Sequence, residues 1–166
     1  MNTKNKLKSL KQLKVIVSRL KQKRKKVVFT NGCFDILHLG HVTYLQAARK
    51  KGDVLVIGLN SDRSVKKIKG KKRPLLPQSD RIGIISALQC VDYVVLFNDE
   101  TPLRLIEALK PDILIKGADW KAQQIVGSEI VRSQGGTVQT IPIVKGRSTT
   151  DIIKIILRKY GTKESR

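Results

Sequence analysis

Segments with strand character and segments with helical spacing alternate along almost the whole chain. Short runs rich in β-branched and aromatic residues predict strands, and apolar residues three or four apart predict helices. The predicted strands are 26–30, 54–58, 93–97, 113–116 and 138–141. The predicted helices are 5–21, 40–50, 79–89, 102–108, 127–134 and 149–159. This alternation is typical of an α/β fold, a Rossmann-like doubly wound parallel sheet.

Length and composition favour a single domain. With 166 residues, 40% of them hydrophobic, the chain suits one compact core. We expect a basic amphipathic helix over 1–25 packed on the domain, a main domain over 26–160 and a flexible tail over 161–166. No apolar run reaches the length of a membrane span, and no secretion signal is visible. Because Cys33 and Cys90 lie far apart and look unpaired, a reducing cytoplasm is the expected location.

The net charge of +21 comes from two short segments. Residues 1–26 hold 11 basic residues and residues 66–73 hold six, and neither segment contains an acidic residue. The rest of the chain carries 17 basic and 13 acidic residues, an ordinary balance. A basic protein that binds nucleic acid stays an alternative, although neither segment has the aromatic residues of a stacking platform. The basic face of the N-terminal helix is either solvated or a contact for nucleic acid or an acidic membrane.

His38 and His41 are the only histidines in the chain, and they flank Gly40. They stand where a predicted strand is followed by a helix, and ligands bind at the carboxyl ends of strands in such sheets. A helix N-terminus there offers free N–H groups to an anion. The pair is therefore a candidate phosphate clamp, the alternative being two packing residues. A zinc site is not expected, since the two cysteines are singly placed.

Three further segments are expected at the same edge of the sheet. The basic run 66–74 contains Gly70 and Pro74, which predict a loop, either merely solvated or mobile and able to close over phosphates. Arg81 opens the next predicted helix and is either a surface residue or a third cationic contact. The turn 116–120 carries the only tryptophan. The hydroxyl run 148–150 precedes an apolar helix, as an N-cap or as a phosphate seat.

Three of these motifs, in this order, resemble the cytidylyltransferase-like nucleotidyltransferase family over residues 27–157. They are the turn at 30–35, the H-x-G-H sequence at 38–41 and the S-T-T-x-I sequence at 148–152. Within the family, the segments 59–62, 69–70, 73–74, 99–102 and 116–120 are most similar to adenylyltransferases acting on D-glycero-β-D-manno-heptose 1-phosphate. Ala118 stands where a glycine is usual, and Arg147 lies later than the arginine of related cytidylyltransferases.

The resemblance implies transfer of AMP from ATP to the heptose 1-phosphate, giving ADP-heptose and pyrophosphate for the lipopolysaccharide core or a related surface glycan. It implies catalytic roles for His38, His41 and Lys69. It also implies a set of nucleotide-binding residues, to which we add the cationic candidate Arg81. The set is Thr30, Asn31, Gly32, Cys33, Phe34, Asp35, Gly40, Arg73, Arg81, Lys116, Gly117, Asp119, Trp120, Ser148, Thr149 and Thr150.

The implied partners are ATP and a sugar 1-phosphate, without membrane or nucleic acid, and the chain is expected to form a homo-oligomer. Mg²⁺ is expected mainly on the substrate phosphates, with Asp35 as a candidate protein contact. A cytidylyltransferase acting on glycerol 3-phosphate or an amino-alcohol phosphate is the alternative in the same class.

Overall fold

The computed structural model describes residues 5–118, 120, 124–144 and 146–161. It contains a five-stranded sheet, with strands β1 (Val27–Gly32), β2 (Val54–Asn60), β3 (Tyr93–Phe97), β4 (Ile113–Gly117) and β5 (Thr137–Ile141). The helices are α1 (Leu10–Gln22), α2 (Leu39–Arg49), α3 (Asp62–Lys69), α4 (Gln78–Ala87), α5 (Leu103–Leu109), α6 (Ser128–Ser133) and α7 (Thr149–Tyr160).

All paired strands are parallel, in the order β3-β2-β1-β4-β5. The order reverses at β1, because the chain adds β2 and β3 on one side of this strand and β4 and β5 on the other. Two apolar layers cover the two faces of the sheet: α1, α5 and α6 pack on one, and α2 and α4 on the other. Neighbouring residues of β1 point into different layers, Phe29 into the first and Val28 into the second. The predicted doubly wound parallel sheet is confirmed.

The N-terminal helix begins later than its leucine spacing predicts. Ser9 caps α1 through a capping box with Gln12, so the helix starts at Leu10. Its residues Leu13 and Val17 are buried against the first apolar layer. The preceding residues lie alongside β3, where Leu7 forms a parallel bridge with Val94. Periodicity within one segment does not reveal such a pairing, because the partner strand is remote in sequence.

The basic run 66–74 was predicted to be a loop, but only its second half is one. Its first half belongs to α3, which Ser61 caps by accepting from the Ser64 N–H. Lys66, Lys67 and Lys69 lie in the last turn of this helix, where positive charge complements the helix dipole. Only the segment from Gly70 to Pro77 connects α3 to α4. The helix escaped prediction because Val65 and Ile68 are its only apolar residues.

The C-terminal helix α7 buries none of its side chains. Its apolar residues Ile155, Ile156, Leu157 and Tyr160 are exposed. The tail beyond Gly161, expected to be flexible, lies outside the described residues. In the part of the chain that the structure covers, no helix is both long and apolar enough to cross a membrane.

Candidate active site

A cavity of about 660 Å³ opens where the strand order reverses, at the carboxyl ends of β1 and β4. These two strands are in register over only two residue pairs, Val28 with Ile113 and Phe29 with Leu114. A crevice therefore opens beyond the paired residues, at the position where ligands bind in open α/β sheets. The predicted site residues that line it are Asn31, Gly32, Cys33, Phe34, Asp35, His38, Gly40, His41, Lys69, Arg73, Lys116, Gly117, Trp120, Ser148, Thr149 and Thr150.

The two histidines form a stacked pair at the start of α2. Their ring centroids are 3.7 Å apart and the ring planes differ by 21°. His38 is the N-cap residue, and its Nδ1 accepts from the His41 N–H at 3.4 Å. Because Nδ1 accepts, the neutral His38 ring carries its proton on Nε2, which is left as a donor. The edge of Phe34 contacts the His41 ring with centroids 5.1 Å apart.

Both imidazoles are held in the neutral form. Burial first, and then the charge interaction with the His38 ring, lower the pKa of His41 to about 4, although a backbone hydrogen bond at Ile36 acts in the other direction. No described atom meets hydrogen-bond geometry at His41 Nδ1. Burial also lowers the pKa of His38, while Asp151 opposes this shift. At neutral pH the pair therefore offers neutral N–H donors to an anion and contributes no positive charge of its own.

Gly40 allows the start of α2 to approach the segment before α7. A Cβ at this position would lie 2.8 Å from the Arg147 carbonyl oxygen, closer than van der Waals contact permits. The missing side chain therefore lets two helix N-termini meet at one cavity. Both helices direct unpaired N–H groups and the positive ends of their dipoles to this place.

The hydroxyl run at the start of α7 combines an N-cap with an exposed first turn. Ser148 Oγ accepts from the Asp151 N–H at 3.1 Å and donates to Asp151 Oδ2 at 2.6 Å. Thr149 and Thr150 follow in the first turn and line the cavity. Ser148 is thus engaged in capping, whereas the two threonines place their hydroxyls at the cavity wall.

Lys116 bridges the crevice between β1 and β4. Its Nζ donates to the Asn31 carbonyl at 3.2 Å and lies 5.9 Å from the ring centroid of Trp120. The Asn31 Oδ1 atom is buried and has no hydrogen-bond partner among the described residues. Trp120 lines the cavity with its ring half exposed. Asp119, which the sequence analysis placed beside it, lies outside the described residues.

Asp35 anchors the connection between α3 and α4. Its buried carboxylate accepts from Arg73 Nε at 2.5 Å and from the N–H groups of Leu75 and Leu76. Burial alone would raise the pKa of Asp35, but these donors outweigh it and hold the pKa below its usual value. The carboxylate is thus engaged within the protein, and its contact with Mg²⁺ stays a prediction. It holds Arg73 at the cavity wall, while Lys69 reaches the same wall from the end of α3.

Two predicted ligand contacts have structural roles instead. Arg81 is fully buried, and its guanidinium donates to the carbonyls of Leu76, Cys33 and Asn60 and to the Asp62 carboxylate. It ties the turn after β1 to the end of β2 and does not line the cavity.

Thr30 is also fully buried. Its hydroxyl lies 2.7 Å from that of Tyr44 on α2, so it orients a residue of the cavity wall without reaching the cavity itself. The helix pattern around Arg81 and the strand pattern around Thr30 identify neither case, since such patterns do not show which groups surround a polar side chain.

Several cavity residues were not among the predicted site residues. They include Tyr44, Asn60, Glu100, Thr101 and Arg147. Asn60, Glu100 and Thr101 lie in segments that carry the family resemblance, and Arg147 directly precedes the S-T-T motif, so these positions were the available signals. Tyr44 gave none, because a tyrosine within a helix is equally typical of packing.

The described residues contain no group of three or more His, Cys, Asp or Glu side chains placed to hold a metal ion. Within the part of the chain that the structure describes, the positively charged side chains at the cavity wall are Lys69, Arg73, Lys116 and Arg147.

Comparison with known proteins gives one family. Residues 29–155 match a family model described as cytidylyltransferase-like. The chain is 56% identical over 156 residues to the bifunctional protein HldE of Geobacter metallireducens and 56% identical over 155 residues to that of Campylobacter concisus. These alignments cover 94% and 93% of this chain and 32% of each relative, so the chain spans about a third of the length of these curated relatives.

Solved structures agree with the fold. A lipopolysaccharide core biosynthesis protein from Thermoplasma volcanium superposes with a TM-score of 0.58 at 33% identity, over 73% of this chain and 98% of that one. Pantoate-beta-alanine ligase from Francisella tularensis superposes with a TM-score of 0.59 at 17% identity, over 96% of this chain and 79% of that one. At this identity the second structure bears on the fold alone.

Proposed function

The chain belongs to the cytidylyltransferase-like family, and we propose that it transfers AMP from ATP to D-glycero-β-D-manno-heptose 1-phosphate, releasing pyrophosphate. The observation that carries this proposal is the meeting of two helix N-termini, a neutral histidine pair and, among the described residues, four cationic side chains at one cavity. The similarity to a lipopolysaccharide core biosynthesis protein supports an ADP-heptose product used for a surface glycan.

In the proposed reaction an oxygen of the sugar phosphate attacks the α-phosphorus of ATP. The new oxygen–phosphorus bond forms as the bond to the pyrophosphate oxygen breaks, and no proton needs to move because the nucleophile is already an anion. The protein must align the two reactants and stabilise the charge that grows on the phosphoryl and leaving-group oxygens. A site without a strong general base fits this requirement.

Neutral and positively charged residues have different roles in this reaction. Neutral His38 and His41 donate hydrogen bonds to phosphate oxygens, as preorganised N–H groups do in an oxyanion hole. Positive charge comes from Lys69, Arg73 and Lys116 around them. The substrate is ATP carrying its own Mg²⁺, held by its phosphates. The hydroxyls of the half-buried Thr149 and the exposed Thr150, with the N–H groups of the first turn of α7, complete the phosphate contacts.

The nucleotide and the acceptor are tested together. Pyrophosphate release is measured with ATP, CTP, GTP and UTP, each paired with the heptose 1-phosphate and with glycerol 3-phosphate. We expect turnover with ATP and the heptose 1-phosphate. Turnover with CTP and glycerol 3-phosphate alone would replace the proposal by the cytidylyltransferase alternative. Tight RNA or duplex binding at physiological salt, without any nucleotidyl transfer, would replace it by a nucleic-acid function.

We also propose a cytoplasmic homo-oligomer. The two cysteines, Cys33 and Cys90, are free thiols, which suits a reducing compartment. The exposed apolar face of α7, residues 155–157 and 160, supports self-association. Sedimentation of the purified chain at several concentrations tests the oligomer, and a monomer at all of them would contradict it.

A further inference from the structure

The cavity has two chemically different halves on either side of the histidine pair. The half at β4 and β5 is mostly apolar beyond Lys116, with Trp120, Ile125, Val126, Ile143 and Val144 in its wall. Such a surface suits a nucleobase, which stacks and excludes water.

The half at β2 and β3 is richer in polar groups. Beside Ile68 and Pro102, its wall carries Asn60, Lys69, Glu100 and Thr101. Hydroxyl groups need acceptors and donors of this kind, because a buried hydroxyl without a partner costs free energy. The polar half therefore suits a polyhydroxylated acceptor, with Lys69 available for its phosphate.

A buried hydrogen-bond chain fixes the turn that carries Glu100. The Asn60 amide donates to Ser64 Oγ at 2.8 Å, and Ser64 Oγ donates to the Asp99 carbonyl at 2.7 Å. Asn60 and Ser64 are both buried, and the Ser61 N–H donates to the Phe97 carbonyl across the same junction. The turn after β3 is thus attached to the start of α3, which places Glu100 at the cavity wall.

Glu100 differs from the other two carboxylates at the described cavity wall. Asp35 is engaged by the α3–α4 connection, and Asp151 by the cap of α7. The ion pair of Glu100 is with Lys67 at 3.5 Å, where the side chains are 64% and 50% exposed. An ion pair so exposed is weak, so the carboxylate is available to accept from a ligand.

We propose that Glu100, together with Thr101, binds hydroxyl groups of the sugar acceptor and selects a polyhydroxylated phosphate over a smaller one. The inference rests on the proposed function and names the acceptor subsite within it. Sugar hydroxyls donate to the Glu100 carboxylate, and the Thr101 hydroxyl donates or accepts beside it. The negative charge of Glu100 repels the phosphate of the acceptor, which is directed toward Lys69 in the same wall.

Steady-state kinetics of the full chain test this subsite. The sugar 1-phosphate is varied at saturating ATP, and ATP is varied at a saturating sugar phosphate, for wild type, Glu100→Ala and Thr101→Val. We expect Glu100→Ala to raise KM for the sugar phosphate about tenfold or more, as for loss of a hydrogen bond to a charged group. KM for ATP should change less than twofold. Thr101→Val should raise KM for the sugar phosphate in the same direction by a smaller factor.

Two control variants separate binding from structure. Lys67→Ala breaks the same ion pair but keeps the carboxylate, so its KM for the sugar phosphate should match wild type. Glu107→Ala removes one negative charge from α5 away from the cavity wall and should also match wild type. Equal effects of Glu100→Ala and Lys67→Ala, or an equal rise in both KM values, would overturn the subsite while leaving the proposed function in place. A wild-type chain inactive with every sugar 1-phosphate would overturn both.

Discussion

The imidazole rings of His38 and His41 are stacked with centroids 3.7 Å apart, so a proton on one ring opposes a proton on the other. This relationship makes the pair a neutral donor unit at the start of α2. The positive charge that a triphosphate requires must then come from lysine and arginine side chains around the pair. The histidines contribute hydrogen-bond donors of fixed orientation.

The first prediction concerns stability and pH. The pKa of His41 is about 4 in the folded chain, below the ordinary value of 6.5, so the unfolded chain binds this proton more readily. Its contribution to folding stability is fully present above pH 6.5 and is lost as the pH falls toward 4. As the pH is lowered from 7.5 to 4.5, the melting temperature of wild type should therefore fall more steeply than that of His41→Asn. Parallel curves would contradict the neutral assignment.

His41→Ala should reduce kcat by a hundredfold or more with little change in melting temperature. Removal of one preorganised donor typically costs about 2.7–4 kcal/mol of barrier stabilisation. Stopped or continuous pyrophosphate release gives kcat, and circular dichroism gives the melting temperature. Turnover near the wild-type value would show that His41 has no catalytic role.

The cap function of His38 can be separated from its role as a donor. His38→Ala loses the Nδ1 acceptor at the start of α2 and should cost about 1 kcal/mol of folding stability. His38→Ser restores a capping oxygen and should recover that stability. Both variants lack the Nε2 donor and should lose kcat alike. If His38→Ser recovered kcat together with stability, the ring would be only a cap.

Gly40→Ala and Gly83→Ala form a matched pair within two helices. A Cβ at Gly40 would lie 2.8 Å from the Arg147 carbonyl, whereas a Cβ at Gly83 on α4 meets no atom within 4 Å. Gly40→Ala should push the start of α7 away from α2 and lower kcat/KM about tenfold or more. Gly83→Ala should leave kcat/KM unchanged and raise stability by about 0.5–1 kcal/mol. Equal kinetics for both variants would show that the close approach is unimportant.

Asp35→Asn tests the anchor of the α3–α4 connection. The amide keeps one acceptor but removes the charge that holds Arg73 Nε and two backbone N–H groups. A loss of about 1–3 kcal/mol in the free energy of unfolding and a higher KM for ATP are expected. Asp80→Asn, at an exposed position on α4, is the control and should leave KM for ATP unchanged. A normal KM in Asp35→Asn would mean that Arg73 does not need this anchor.

Much of the fold was predictable because its signals are local. The alternation of strand and helix patterns predicted the parallel sheet, and the H-x-G-H and S-T-T motifs predicted residues that line one cavity. The resemblance to the cytidylyltransferase-like family is confirmed by the match over residues 29–155.

The errors share a physical cause: the partner of a polar side chain is set by tertiary contacts. Arg81 looked like a free cation at a helix start, but carbonyls from three separate segments surround it. Asp35 looked available, yet its partners lie about forty residues further along the chain. For α3, capping by Ser61 and the basic last turn outweighed a weak apolar pattern.

Residues 6–8, before α1, affect whether the sheet of one molecule can pair with that of another. β3 is an edge strand, and both backbone groups of Val94 are paired with this segment, through the Lys6 carbonyl and the Lys8 N–H. Unpaired edges template the addition of strands from other molecules. Lysines on either side of Leu7 also place charge along this border. Residues 6–8 therefore occupy backbone groups on this edge that would otherwise be free to pair with a second copy, a role independent of any ligand.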